Sequence, residues 1–219
     1  MNSNADLPSP LETPGTIAVV GGGLMGVEAA LYGRYLGYDV RVYEAETIGC
    51  RWVERGDDDL PMLPDRSYSP LAAAALSAQT DDRPETLPTR CGDWVERLLR
   101  PISGVDLLRD RVSEHHRVTR IEETEAEVDD DGDPIPPDYR LFFDGDVEPV
   151  VAEAVIVATG GQPVETDLTL PREYWFEIAA GETGDAEADV AAGLDRIREV
   201  YANLADREDL DLYQRRRGA

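Results

Sequence analysis

Three glycines and one acidic residue carry the clearest chemical signal in this 219-residue sequence. Gly21, Gly23 and Gly26 have GxGxxG spacing directly after the apolar run Thr16–Val20, and Glu44 closes the next such run. In this setting the first glycine makes a tight turn, the second lets the backbone approach a pyrophosphate, and the third lets helix and strand pack closely. A carboxylate after the second run accepts hydrogen bonds from a ribose diol and repels a 2′-phosphate. The pattern therefore predicts a dinucleotide site.

The elements that must position these residues form a βαβ unit. The run Thr16–Val20 is predicted to be a strand, Leu24–Leu36 an amphipathic helix, and Asp39–Tyr43 a second strand. Gly37 stands where a left-handed helix cap is expected. Leu24 and Met25 open the helix, and free N–H groups there stabilise phosphate charge. Both are therefore included among the predicted cofactor-binding residues.

The middle of the chain is less informative. Residues 50–88 are rich in proline and predict irregular structure with a short helical patch at 71–76, and 93–100 predicts a further helix. Beyond them, 118–123, 139–143 and 150–158 are three strand candidates that form a β-meander. The last of these, ending at Ala158, is apolar throughout, as in a buried parallel strand. The acidic segment 122–138 predicts a solvated loop, because little of it is apolar.

The C-terminal part predicts one more strand and one helix. YWFEI, at 174–178, is the strand candidate, and the helix carries apolar residues along one face at Val190, Leu194, Ile197, Tyr201 and Leu204. The predicted fold class is α/β, a Rossmann-type parallel sheet with helices on both faces and an added β-meander. We expect a disordered segment at 1–14, a single domain at 15–213 and a frayed tail at 214–219.

GGGLMGVEAALYGRYLGYDVRVYE resembles the FAD-binding start of the two-dinucleotide-binding-domain flavoproteins, which include thioredoxin reductases and flavin-containing monooxygenases. In that family a meander follows, then a strand ending in ATGxxP, matched here by Ala158, Thr159, Gly160 and Pro163 in AVIVATGGQP. A third signature, GD before a helix, is echoed by Gly184 and Asp185. The resemblance implies that Thr159 and Gly160 lie near the cofactor. It also implies that Asp185 contacts the ribityl-phosphate part of FAD, although GD before a helix is equally an ordinary N-cap.

The sequence also departs from this family. Its full-length members insert a second GxGxxG domain for NAD(P)H between the ATG strand and the GD segment, and this chain has no second glycine signature. The CxxC motif of disulfide reductases is absent as well. The resemblance places Cys50, Arg51 and Trp52 near the flavin ring, but a structural thiol, a surface cation and a packed aromatic are the favoured explanation of these three residues. The catalytic residues are therefore unknown.

Composition narrows the class of partner. The chain has 46 acidic and 21 basic residues and a formal net charge of −25. All 21 basic residues are arginines, and the sequence contains no lysine. Such a charge repels phosphate backbones and anionic lipid, so neither nucleic acid nor membrane is an expected partner. The N-terminus lacks the features of a secretory signal, and Cys50 and Cys91 form no CxxC pair, which favours the cytoplasm. His115 and His116 have no metal-ligand spacing, so no metal site is expected.

Three functions remain open at this stage. The first is an FAD-binding flavoprotein of oxidoreductase type without a recognisable NAD(P)H domain, whose electron donor is a redox partner protein or a small-molecule substrate. The second is a non-catalytic shortened paralogue or nucleotide-binding module. The third is an NAD-binding dehydrogenase, which is disfavoured because a Tyr-xxx-Lys pair is impossible without lysine.

Overall fold

The secondary structure follows the predicted order from the first strand to the last helix. The computed structural model describes residues 10–79, 86–125, 127–128, 134–178 and 184–214. Its strands are β1 Thr16–Val20, β2 Asp39–Tyr43, β3 Val112–Ser113, β4 Val118–Glu123, β5 Glu127–Val128, β6 Pro134–Ile135, β7 Tyr139–Phe143, β8 Val150–Ala152, β9 Ala154–Val157, β10 Glu165–Thr166 and β11 Trp175–Glu177. Its α-helices are α1 Leu24–Leu36, α2 Cys50–Val53, α3 Pro70–Ser77, α4 Cys91–Trp94, α5 Arg100–Ser103 and α6 Ala186–Leu204.

A five-stranded parallel sheet in the order β11-β9-β1-β2-β3 organises the fold. From the central β1 the chain moves outward to β2 and β3, then returns to the other side of β1 as β9 and β11. Because all five strands are parallel, their carboxyl ends share one edge, and the switch in direction lies between β1 and β9. Ligands of open α/β sheets bind in the crevice at such a point. The Rossmann-type sheet is therefore confirmed, and it brings the glycine loop, Glu44 and residues 158–160 to one edge.

Helices and a second sheet cover the two faces of this parallel sheet. Val40 faces α1, because a Cβ on Gly33 would come within 2.7 Å of its Cγ2 atom. Tyr43 lies an odd number of positions further along the same strand and therefore points the other way. There it packs on Phe143 of the mixed sheet β10-β4-β7-β8, with ring centroids 5.0 Å apart. The predicted meander is thus confirmed as a separate layer.

Helix α6 packs across α1 at two places where glycine allows a close approach. The Tyr201 hydroxyl donates to the Ala29 carbonyl at 2.8 Å, and a Cβ on Gly33 would overlap that hydroxyl. Nearer the start of α1, a Cβ on Gly193 would overlap the Met25 sulfur. The predicted apolar face of α6 is confirmed, since Val190, Ile197, Tyr201 and Leu204 are buried and Leu194 packs against the core while partly exposed.

The segment between β2 and β3 is more helical than its composition suggests. The predicted patch at 71–76 lies within α3, and the predicted helix at 93–100 belongs to a run from α4 through a π-helical turn, Val95–Leu99, into α5. The π turn precedes Pro101, whose ring nitrogen cannot donate an intrahelical bond. Trp94 Nε1 donates to Ser67 Oγ at 2.7 Å and so ties the two parts of the segment together.

Three predictions need correction. The apolar run 150–158 is not one strand, because β8 pairs antiparallel with β7 whereas β9 pairs parallel with β1. The two strands part at Glu153, whose carboxylate accepts from the Thr16 N–H at 2.6 Å. Within the predicted loop 122–138, residues 122–123 belong to β4 and β5 pairs with β6, while 126 and 129–133 lie outside the described residues.

The predicted disordered segment at 1–14 also needs correction over its last five residues. Residues 1–9 lie outside the described part of the chain, but Leu11 is buried and its N–H donates to the Leu204 carbonyl at 2.8 Å. The Tyr38 hydroxyl donates to the Leu11 carbonyl in turn. Residues 10–14 therefore belong to the packed domain. Of the predicted frayed tail, 215–219 lie outside the described residues.

Candidate functional site

The glycine loop is held between the ends of its two neighbouring strands. The Gly21 N–H donates to the Tyr43 carbonyl at 2.9 Å, and the Ala158 N–H donates to the Val20 carbonyl at 2.8 Å. Gly21 has a φ of 111°, and a Cβ on it would lie 2.5 Å from the Ala158 carbonyl oxygen. Only glycine fits this position, because the conformation is left-handed and the space is occupied.

Two further glycines are required by the chain itself. A Cβ on Gly26 would overlap the Gly21 carbonyl oxygen, so α1 could not start so close to β1 with any other residue there. A Cβ on Gly22 would lie 2.5 Å from Ile48 Cδ1 and 2.9 Å from the Cβ atom of Glu44. Gly22 is not among the predicted site residues, although its place inside the GGG triplet is a signal for it.

Gly23 differs from its neighbours, because nothing in the described structure requires it to be glycine. Its φ of −74° and ψ of −176° are extended backbone that any residue adopts, and no atom lies within 4 Å of a Cβ built on it. It is also the N-cap of α1, yet no side chain caps this helix. The open space beside Gly23 therefore adjoins the unsatisfied N–H groups of the first turn, an arrangement that suits an anion.

The first turn of α1 is held in place by two apolar side chains. Leu24 is buried, and Met25 lies partly exposed against α6 at Gly193. Both are predicted cofactor-binding residues, and both contribute backbone N–H groups rather than polar side chains. Their apolar side chains hold the helix start in place beside the open space at Gly23.

Glu44 lies directly under the glycine loop and is only 8% exposed. Its Oε2 atom accepts from the Gly22 N–H at 2.5 Å, and its Oε1 atom accepts from the Glu46 N–H at 2.9 Å. A carboxylate has about four acceptor positions, so two remain for the hydroxyls of a ribose. The structure thus brings Glu44 and the loop together as predicted, and it adds a structural role for this carboxylate.

The loop after β9 lies on the opposite side of the glycine loop. Ala158 is buried, whereas Thr159 and Gly160 are partly exposed, and the Thr159 hydroxyl donates to the Gln162 carbonyl at 2.5 Å. The exposed Arg51 donates from NH1 to the Gly160 carbonyl at 3.0 Å. The segment after β2 therefore bridges to the segment after β9 across the carboxyl edge of the sheet.

Gly184 and Asp185 stand at the start of α6. Gly184 has a φ of 77°, and the Asp185 carboxylate accepts from the N–H groups of Glu187 and Ala188 at 3.0 and 3.3 Å. Asp185 is thus the N-cap of α6, as one of the two sequence interpretations expects. The preceding residues 179–183 lie outside the described structure, and the proposed contact with a ribityl chain stays a prediction.

Cys50 has the chemistry of a structural thiol. Burial raises the pKa of Cys50, and the nearby carboxylates of Glu44 and Glu46 raise it further. Since the thiolate is the reactive form, these surroundings suppress nucleophilic chemistry. Trp52 packs on Trp94 with ring centroids 5.6 Å apart, so it too has a structural partner.

The histidine pair connects the end of β3 to the segment after β2. The N–H groups of His115 and His116 donate to the carbonyls of Glu46 and Glu44, each at 2.8 Å. Within the described residues no group of three His, Cys, Asp or Glu side chains has the geometry of a metal site. Nor does any helix in that part of the chain combine the length and apolarity needed to cross a membrane.

Comparison with known proteins gives similarity at the level of the fold. No family model and no curated protein matches the chain. A crystal structure of OTEMO with FAD and NADP is 20% identical, with a TM-score of 0.48, over 66% of this chain and 25% of that one. An oxidized steroid monooxygenase bound to NADP is 22% identical, with a TM-score of 0.47, over 67% and 26% of the two chains.

A disulfide reductase is similar to the same extent. The bacillithiol disulfide reductase Bdr of Staphylococcus aureus is 14% identical, with a TM-score of 0.47, over 66% of this chain and 38% of that one. This chain therefore spans only 25% to 38% of the length of these three proteins.

Proposed function

We propose that this chain binds FAD at its glycine loop and serves as the FAD-binding domain of an oxidoreductase-type flavoprotein. The observation that carries the proposal is the contrast at Gly23. Steric contacts within the protein explain Gly21, Gly22 and Gly26, whereas the space beside Gly23 is empty and adjoins an uncapped helix. A diphosphate lying against this backbone explains why the position is glycine.

The position of Glu44 supports the adenosine end of the same ligand. The carboxylate is fixed by two backbone N–H groups and lies beside the loop, where it can accept hydrogen bonds from a ribose diol. A 2′-phosphate would meet this negative charge in a protein of net charge −25. We therefore infer preference for FAD or NAD over NADP at this site.

The connection from β3 to β9 favours FAD over NAD. In the flavoprotein family that the sequence resembles, a β-meander leads into the ATG strand, and here β4, β7 and β8 occupy that place before Ala158–Gly160. Among the similar solved structures, OTEMO is in complex with FAD and NADP and the steroid monooxygenase is bound to NADP. The third is a disulfide reductase. The alternative is that the site binds NAD and that the protein is an NAD-binding dehydrogenase.

Bound FAD would supply the redox chemistry, because a flavin carries hydride and electron transfer itself. The residues of this chain would hold the pyrophosphate at Gly23, Leu24 and Met25, and the ribose at Glu44. The proposed electron donor is a redox partner protein or a small-molecule substrate. The alternative function is a nucleotide-binding module without turnover.

A cytoplasmic location is proposed too, supported by two free cysteines.

Absorbance gives the first test. The purified protein is expected to show flavin bands between about 350 and 500 nm, and denaturation should release FAD. Apoprotein titrated with FAD, ADP, NAD and NADP should bind FAD and ADP in preference to NADP. A colourless protein that takes up no added FAD would rule the proposal out, and stabilisation by NAD alone would favour the dehydrogenase alternative.

The variant Gly23→Ala separates ligand binding from folding. Because a Cβ at this position meets no atom within 4 Å, thermal stability should change little, while the methyl group occupies the place of the pyrophosphate. We expect FAD affinity to fall at least about 100-fold, because about two charge-assisted hydrogen bonds to the pyrophosphate would be lost. Gly104→Ala is the matched control, since its φ is −97° and its Cβ lies 3.5 Å from the nearest atom. Equal FAD affinity in both variants would refute the placement of the pyrophosphate.

A further inference from the structure

A fully buried carboxyl group lies one turn inside α1, where the proposed cofactor site does not use it. Glu28 is 0% exposed. Its Oε1 atom accepts from the Ser69 N–H at 2.8 Å and its Oε2 atom from the Ser69 hydroxyl at 2.7 Å. Ser69 is also the N-cap of α3, because its hydroxyl oxygen accepts from the Ala72 N–H. Within the described residues no arginine forms an ion pair with Glu28.

The C-terminal segment, residues 205–214, folds back against Tyr32 of α1, one helical turn after Glu28. Leu210 is buried, and the Leu212 N–H donates to the Tyr32 hydroxyl oxygen at 3.0 Å. The ring of Tyr213 packs edge-on against Tyr32, with centroids 5.0 Å apart. The Tyr213 hydroxyl is buried as well, and it is the one buried side-chain oxygen or nitrogen of the described residues without a hydrogen-bond partner.

Glu28 and Tyr32 stand four residues apart on one face of α1, so the Glu28 carboxyl neighbours the ring on which Tyr213 packs. Burial raises the pKa of Glu28 to about 7, against the opposing effect of the two hydrogen bonds from Ser69. Burial also raises the pKa of Tyr213 well above its ordinary value, with further contributions from Glu28, Tyr32, Tyr201 and Asp211, so this side chain stays a neutral donor.

The remaining charged groups around the cluster act on Tyr32. Its pKa is raised by burial and by the Asp211 carboxylate, and it is lowered by the Leu212 N–H and by the guanidinium groups of Arg198 and Arg207. The arginines keep their charge throughout the neutral range. A change of pH between 6 and 8 therefore alters the charge at Glu28 and leaves Tyr213 protonated.

We propose that Glu28 and Tyr213 form a proton-sensitive clasp that fastens the C-terminal segment to α1. An unpaired buried hydroxyl is costly, and the ionised Glu28 carboxylate has acceptor positions left beyond the two that Ser69 uses. When Glu28 loses its proton to solvent, the Tyr213 hydroxyl donates to it and the segment is held. When Glu28 regains the proton, this charge-assisted bond is lost and the segment opens more readily.

Carboxyl carbon NMR of the full chain tests the pairing. One glutamate signal is expected to titrate near pH 7 and to be missing in Glu28→Gln. In Tyr213→Phe its midpoint should rise by about half a pH unit to one unit, because a donor to the charged form is gone. Tyr35→Phe, at an exposed tyrosine, is the matched control and should leave the midpoint unchanged. An unshifted midpoint in Tyr213→Phe, or no glutamate titrating above pH 6, overturns the clasp.

Hydrogen exchange tests the consequence for the C-terminal segment. After correction for the intrinsic pH dependence, protection of 205–214 in the natural sequence should increase about fivefold between pH 6 and pH 8. Glu28→Gln, which keeps the shape of the protonated group, should show the low protection at both pH values. Equal pH dependence in the two proteins would contradict the proposal. If Glu28→Gln fails to fold, the Tyr213→Phe titration still decides.

Discussion

The two ends of the proposed cofactor site are built to different degrees. At the adenosine end, the Gly22 N–H donates to the Glu44 carboxylate and the Gly21 N–H donates to the Tyr43 carbonyl, and Glu44 is 8% exposed. At the far end, Thr159 and Asp185 are more exposed, and each uses its side chain on its own neighbouring backbone. One end is thus fixed before any ligand arrives, whereas the other is held together by local turns and caps.

This difference separates what can be proposed about the ligand from what can be proposed about the reaction. A preorganised adenosine end supports the proposal that the fold itself binds an ADP moiety, because the glycine loop and Glu44 are already fixed against each other. A redox reaction depends instead on the residues around the proposed flavin ring, where the family resemblance would place Cys50, a thiol whose pKa is raised by burial. The same chain therefore supports a specific proposal about its ligand and a much broader one about its reaction.

Gly26→Ala should have the largest effect, because it breaks the adenosine end from within. The new Cβ would overlap the Gly21 carbonyl oxygen, which belongs to backbone and cannot rotate away. We expect a loss of about 3 kcal/mol or more in the free energy of unfolding, measured by urea denaturation, together with loss of ADP binding. Gly23→Ala, three residues earlier, should lose only binding. Equal stability of these two variants would show that the close approach of α1 to β1 has been misplaced.

Glu44→Ala should reduce both stability and binding. Removal of the carboxylate leaves the N–H groups of Gly22 and Glu46 without their acceptors, at a cost of about 1–3 kcal/mol. FAD and ADP should both bind more weakly, because the ribose loses its acceptor. The two backbone hydrogen bonds thus give Glu44 a structural role in addition to the ribose contact that the sequence predicts.

The exposed neighbour of Glu44 supplies the control. Glu46→Gln changes a carboxylate that pairs with Arg117 at the surface, and it should alter neither the urea midpoint nor ADP affinity by much. A Glu44→Ala protein as stable as Glu46→Gln would argue against the two backbone hydrogen bonds.

The adenosine end was predictable because its determinants are local in sequence. Glycine spacing, two apolar runs and a terminal acid define β1, α1, β2 and Glu44 almost without reference to the rest of the chain, and the bounds of all three elements agree with prediction. Gly37 ends α1 in the left-handed conformation with a φ of 99°, also as expected.

Long-range contacts explain most of what the sequence did not reveal. The break at Glu153 depends on Thr16, far away in the chain, and the buried Glu28 carboxyl depends on Ser69 for its hydrogen bonds. Charged residues within a helix predict a solvated face, so the buried Glu28 carboxyl contradicts local pattern. Hydrogen bonds such as that from Trp94 to Ser67 likewise arise only once the segment between β2 and β3 has folded.

The smallest expected effect concerns Asp185, where a helix cap and a cofactor contact compete as explanations. Asp185→Ala should lower the free energy of unfolding by about 1 kcal/mol through loss of the N-cap, and Asp185→Asn should restore it, because asparagine caps as well as aspartate. Neither change should affect ADP affinity, since the adenosine end lies elsewhere. In Asp185→Asn, FAD affinity should fall about fivefold, because a hydrogen bond to a charged acceptor exceeds one to a neutral acceptor by about 1 kcal/mol. Unchanged FAD affinity in Asp185→Asn, at full stability, would show that Asp185 serves α6 alone and would leave the far end without a side-chain contact of its own.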